Sequence, residues 1–263
     1  MNKIKEVDKK DFENCYKIAL VAMFDDEDDI HIALYSSLMN KGDDKFIFGE
    51  FVIGESKRYI HEKPKTGFLI MSVSREFWTG KMKFTHFATE GEDYVKLNEQ
   101  PLFRFNTYMG VHKVHYADLI DISERTKLDM GGIVKNALKV LIRKGSIKGD
   151  VKKPVLKPWA QKFLSKIDTL MFIGFEDEDG YPVLVPVIQA QAVSPSRIVL
   201  TRKPYADMLK NLKDGQRVAI YGASLDMDAV LVKGTYHDYK KDLGYVDIDK
   251  VYNTVPPKHG RIF

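Results

Sequence analysis

Short runs of β-forming residues, each closed by glycine, proline or acidic residues, constrain this chain more than any other feature. In the first half they read IHIALYSS (30–37), FIFGEFVIG (46–54), GFLIMSVS (67–74), LFRFNTYMG (102–110) and VHKVHYADLIDI (111–122). Runs this short, with punctuation this close, suit antiparallel hairpins, because a parallel pair needs a long crossover that is usually a helix. No G-x-G-x-x-G leads from a strand into a helix, and no G-K-[ST] loop occurs. Dinucleotide-binding and P-loop folds therefore lack the backbone cradle they need for phosphate.

Between these runs lie helical patterns. Phe12, Tyr16, Ala19, Leu20 and Met23 recur at helical spacing and predict an opening helix from Asp8 to Met23, with Cys15 as a small buried thiol within it. The acids 25–29 then read as a solvated turn, since consecutive carboxylates point in different directions. A second helix is predicted after Asp129 as N-cap, with Met130, Ile133, Ala137 and Leu141 on one stripe and Gly145 as its stop. The lysine- and proline-bearing stretch 146–158 reads as a linker.

Beyond the linker the same order returns. A helix over Pro158–Lys166 precedes TLMFIGF (169–175), a turn, and YPVLVPVIQAQAV (181–193). RIVLTR (197–202) parallels GFLIMSVS, a short helix is predicted over 205–215 with Gly215 as its cap, and RVAIYGAS (217–224) and AVLVKGTYHDY (229–239) close the set. Pro182 and Pro186 cannot donate ladder hydrogen bonds, so their strand belongs at an edge. The expected architecture is mainly β, with two tandem antiparallel split β-barrels and flanking helices. Its parts are an N-terminal barrel over 1–125, a connecting helix and linker over 126–158, and a C-terminal barrel over 159–263.

The chain's 263 residues are enough for two domains, and 44% apolar content supplies their cores. A net charge of +4 gives no strong pull toward nucleic acid or an anionic membrane. The single cysteine excludes an intramolecular disulfide and a thiolate metal cluster, which fits a reducing compartment, and the start carries no apolar secretory stretch. A cytoplasmic location is expected.

From Trp159 to Tyr239 the chain resembles the pyridoxamine-phosphate-oxidase-like FMN-binding split-barrel superfamily. The resemblance is carried by WAQKFLSKI, TLMFIGFEDEDGYPVLVPVIQ, RIVLTRK, and YADMLKNLKDG before RVAIYG. The first half, with WTGKMKFTHFATEGEDYVKLNEQPLFRFNTYMGVHKVHY, resembles a tandem branch of the same superfamily. The resemblance implies an FMN cofactor, an oxidoreductase working through flavin N5 on a small molecule, and a barrel pair formed within the chain or by a homodimer. Its phosphate-binding positions fall on Ser72, Ser74, Arg75, Trp78, Thr79 and Lys81, with Arg104 and Asn106 on a nearby strand, and on Thr201, Arg202, Lys203, Tyr205 and Lys210 in the second half. These are residue types that a flavin needs. A phosphate dianion calls for hydroxyl and cationic donors, and the ring calls for an aromatic wall such as Trp78. A deazaflavin of the F420 kind, whose longer acidic tail would use the additional lysines, and a non-catalytic flavin- or haem-binding module are the alternatives.

His112 and His115 stand three apart on a strand and so face opposite sides, which argues against a metal pair. Either could donate a proton to reduced flavin, but a half-buried strand histidine is the simpler reading. No G-x-S-x-G elbow occurs, so covalent hydrolase chemistry has no support. The tail VYNTVPPKHGRIF is expected to pack across the other half or lend a basic group to the site.

Overall fold

A computed structural model of the chain describes residues 3–51, 54–100, 110–147, 153–224, 226, 228–254 and 260–261. The contacts divide into two units. The first holds residues 1–28, 33–128 and 180–183, and the second holds 29–32, 129–179 and 184–263.

The first sheet begins after helix α1 (Glu6–Glu13) with β1 (Lys17–Phe24) and β2 (Ile30–Leu34), followed by β3 (Met39–Lys41) and β4 (Lys45–Glu50). Helix α2 (Glu55–Glu62) leads into β5 (Lys65–Ser72) and β6 (Glu76–Ala88), and helix α3 (Glu92–Glu99) precedes β7 (Lys113–Ile122) and β8 (Thr126–Lys127). The strands lie in the order β2-β1-β5-β6-β7-β4-β3, with β8 on β6. The second sheet follows helices α4 (Met130–Arg143) and α5 (Pro158–Leu164). It consists of β9 (Leu170–Glu176), β10 (Pro182–Pro186), β11 (Gln191–Ser194), β12 (Arg197–Thr201), β13 (Arg217–Ala223), β14 (Ala229–Tyr239), β15 (Leu243–Asn253) and β16 (Gly260–Arg261). Its order is β10-β9-β13-β14-β15-β12-β11, with β16 on β15. Renumbering β9–β15 as β1–β7 makes the two orders identical, so the repeat of elements read in the sequence is a repeat of topology.

The predicted opening helix is overturned. It ends at Glu13, and Lys17–Phe24 is a strand in which the five consecutive residues 19–23 are all buried. A strand buried on both faces shows no alternation, and the run KIALVAMF matches helical spacing only by accident. Cys15 therefore lies outside the helix, half-buried, with its Sγ 2.8 Å from the Gln100 side-chain oxygen. The acidic turn is exposed only at its tip: Asp25 and Asp29 are buried, and Asp29 accepts from Arg217 at 2.9 Å and from Lys250 at 2.7 Å.

β6 is the main element absent from the sequence reading, which took that region for a loop. It pairs with both β5 and β7, and its register shifts by bulges at Lys81/Met82 and Phe84/His86, which break the alternation that would have announced a strand. β15 was missed in the same way. Its pairing with β14 is bulged at Lys233/Gly234, where a Cβ on Gly234 would lie 2.0 Å from the Asp247 carbonyl oxygen. The run 181–193 is two strands, β10 and β11, and β10 lies at the sheet edge as its prolines require. Residues 205–215 form successive turns rather than a helix, closed by Gly215 at φ +78°. The cap of α4 is as expected, with the Gly132 amide donating to the Asp129 carboxylate at 2.8 Å. On that helix Ile133 and Ala137 are buried as predicted, whereas Met130 stays exposed and Asn136 and Val140 complete the inward face. Residues 102–109 of the predicted run 102–110 and tail residues 255–259 lie outside the described residues.

Candidate functional site

The turn between β5 and β6 holds Ser72, Ser74 and Arg75 of the first predicted set. Ser72 ends β5, and its hydroxyl lies 2.7 Å from that of Ser74, while Ser74 Oγ donates to the Glu76 carboxylate at 3.2 Å. Arg75 takes the left-handed conformation, φ +65°, with its amide on the Ser72 carbonyl and its carbonyl accepting from the Leu128 amide. Its exposed guanidinium has no ionic or hydrogen-bonding partner among the described residues. A hydroxyl pair and an unpaired cation on one turn are residue types suited to an anion.

Trp78 is brought near in sequence but not in space. It is fully buried, edge-on to Phe12 at 4.9 Å, with the Arg125 guanidinium over its ring. Thr79 and Lys81 alternate with Trp78 along β6 and so face the other side of the sheet. Arg104 and Asn106 lie outside the described residues.

The second predicted set is turned inward on its own backbone. Thr201 Oγ1 donates to the Lys203 carbonyl at 2.7 Å, and the Lys203–Pro204 peptide is cis. Arg202 spends its guanidinium on the Leu209 and Leu212 carbonyls, the Tyr236 hydroxyl and the Asp238 carboxylate. The Tyr205 hydroxyl accepts from the Asp129 amide at 3.1 Å, and Lys203 and Lys210 are exposed. The strand order also corrects the parallel drawn between RIVLTR and GFLIMSVS: β12 occupies the place of β4, and β5 occupies the place of β13. The two hydroxyl-and-base patterns therefore stand at different points of the repeat.

The position equivalent to Thr201, the last residue of β12, is Glu50, the last residue of β4. There the chain builds a cluster that sequence reading did not assemble. Register sets Phe48 and Phe87 on either side of His115 across β4, β7 and β6. His115 is wholly buried, with Nε2 2.9 Å from the buried Glu50 carboxylate and Nδ1 3.2 Å from Nε2 of His61. His61, in the last turn of α2, is exposed and stacks near Phe84 at 4.7 Å and Phe87 at 5.5 Å. Lys57, one turn earlier, lies 4.3 Å from the Tyr35 ring centroid. Burial holds the His115 imidazole well below its ordinary range despite Glu50, lowers His61 as well, and brings the Lys57 ammonium down to about 8. His115 was visible as a strand histidine, but only pairing register and the α2 connection join residues 50, 61 and 115.

A separate open cleft of about 530 Å³ in the second unit is lined by Leu141, Ile142, Gln161, Ser165 and Gln191, and by none of the predicted residues. Among the described residues no group of three or more His, Cys, Asp and Glu is placed to hold a metal.

No protein-family model and no curated protein matches the sequence. Solved structures do match, several of them over about half of the chain. An FMN-binding protein from Syntrophomonas wolfei aligns with 46% of this chain and 90% of its own, at 16% identity and a TM-score of 0.36. A candidate pyridoxamine 5'-phosphate oxidase from Lactobacillus delbrueckii aligns with 47% and 95%, at 14% identity and 0.38. An F420 reductase aligns with 46% and 98%, at 11% identity and 0.37. At these scores the likeness is loose, and the duplicated strand order decides the architecture. The chain is a tandem pair of antiparallel barrel-like domains. No helix among the described residues is long and apolar enough to cross a membrane.

Proposed function

We propose that the chain binds FMN and acts as an oxidoreductase on a small molecule, with the cofactor phosphate held at the β5–β6 turn of the first unit. The observation that supports this most is the Ser72–Ser74 hydroxyl pair on the same turn as Arg75, whose guanidinium has no partner among the described residues. Hydroxyls and an unpaired cation match a phosphate dianion, and Ser74 and Arg75 are exposed to it. Binding there requires Ser74 Oγ to turn from the Glu76 carboxylate and Ser72 Oγ to turn its proton from the Glu76 carbonyl, while Glu76 keeps Arg125 at 3.4 Å. The second set fits less well, because engaging Arg202 would cost four existing hydrogen bonds. When bound, FMN supplies redox exchange at its N5, and the protein's part is to bind and orient it.

Thermal unfolding with added FMN tests the reading. A ligand that binds only the folded chain at about a hundred times its Kd adds about 2.7 kcal/mol of stability, so the melting temperature should rise by several degrees. An unchanged melting temperature, with no flavin absorbance retained after gel filtration, rejects it. Turnover is tested separately by bleaching of bound flavin with a nicotinamide donor. A parallel titration with F420 separates FMN from a deazaflavin.

A further inference from the structure

The Glu50–His115–His61 chain is separate from the turn assigned to phosphate. Along β6, Phe87 stands eleven residues beyond Glu76. The hydrogen bonds also define a direction. Glu50 is a carboxylate acceptor, so His115 donates through Nε2 and presents a bare Nδ1. That Nδ1 accepts from His61 Nε2, which leaves the lone pair of His61 on Nδ1. His61 is exposed, and its Nδ1 has no partner among the described residues. Phe87, itself 45% exposed, forms an apolar wall beside it, and the Lys113 ammonium lies 4.9 Å from that ring centroid. Facing the two imidazoles are Glu50 from β4, Lys57 from α2 and Lys113 from β7, with Tyr35 near Lys57.

We infer that His61 is the surface end of a proton-transfer site that takes a small planar weak acid against Phe87, with His115 and Glu50 as the positioning residues behind it. In the step, His61 Nδ1 accepts the proton of the acid and the resulting imidazolium keeps its Nε2 proton on the hydrogen bond to His115, whose own Nε2 proton stays on the hydrogen bond to Glu50. The acid is left as its anion beside Lys113, the total charge is unchanged, and no electrons are exchanged. The lowered affinity of His61 for a proton keeps its lone pair available near neutral pH. The inference does not depend on flavin binding.

The probe is 4-nitrophenol, a planar weak acid whose anion absorbs in the visible, mixed with the full chain over a pH series, alongside nitrogen-15 histidine spectra of the same samples. The expected result is a saturable rise in anion absorbance below the probe's own midpoint. The rise is lost in His61→Ala, and in Glu50→Gln it is weakened at least tenfold with its pH profile displaced. His115 should carry its proton on Nε2, and His61 should have a bare Nδ1 that titrates. Unchanged melting and circular dichroism in His61→Ala exclude unfolding as the cause. The proposal is overturned by no saturable change in the wild type, by a change that survives in His61→Ala, or by spectra that place the His115 proton on Nδ1.

Discussion

The two units share one strand order and use its loops in opposite ways. At the end of β12 the second unit spends its hydroxyl and its arginine on its own backbone, and Arg202 alone reaches two carbonyls, a tyrosine and an aspartate. At the equivalent end of β4 the first unit places a buried carboxylate and leads through two imidazoles to the surface. The first unit's β5–β6 turn keeps a cation unengaged, whereas its counterpart between β13 and β14 carries Asp226 and Asp228. A repeated topology thus fixes where strands end without fixing which chemistry is mounted there.

The largest effect expected from breaking this contrast comes from Trp78→Ala. It empties a fully buried site in the first core and should cost about 3–5 kcal/mol in denaturant unfolding. Arg202→Ala should cost about 2 kcal/mol, since it takes the guanidinium donor from the Leu212 carbonyl and one of two donors from the Leu209 carbonyl. Arg75→Ala, the same chemical change at the first unit's turn, should move stability by no more than about 0.5 kcal/mol. If the two arginine variants unfold alike, the division between structural and available cations is wrong.

A pH titration of stability sharpens the contrast further. His115 is buried and neutral, and its folded-state affinity for a proton lies below that of the unfolded chain. The unfolded state therefore binds more protons as pH falls below its histidine range near 6.5, and stability drops there. His115→Gln should flatten this acid-side slope, which denaturant melts between pH 7 and 5 would measure. A smaller effect concerns Lys57. With its ammonium near 8, it should be acylated faster at pH 8 than exposed lysines such as Lys210, as read by peptide mass mapping.

Much of the fold was legible because hairpin punctuation survives in the letters. The edge strand with Pro182 and Pro186, the Asp129 cap and the doubled order of elements all follow from local chemistry. What was illegible depended on partners distant in sequence. The bulges in β6 erased its alternation, Lys17–Phe24 hid a strand inside a helical spacing, and the match of RIVLTR to β4 rather than β5 appears only in the strand order. The predicted serines and Arg75 do meet at one turn, whereas Trp78, chosen as a ring wall, is consumed by the core. Glu50, His61 and His115 share no spacing that a sequence could announce.

An absorbance titration of the purified chain with FMN tests the central claim that the first unit alone offers an open phosphate site. One FMN per chain is predicted, with affinity reduced roughly ten- to hundredfold in Arg75→Ala, the loss of one charge-assisted contact, and unchanged in Lys210→Ala. Absence of saturable binding, or a loss that follows Lys210 while Arg75→Ala binds normally, would contradict it.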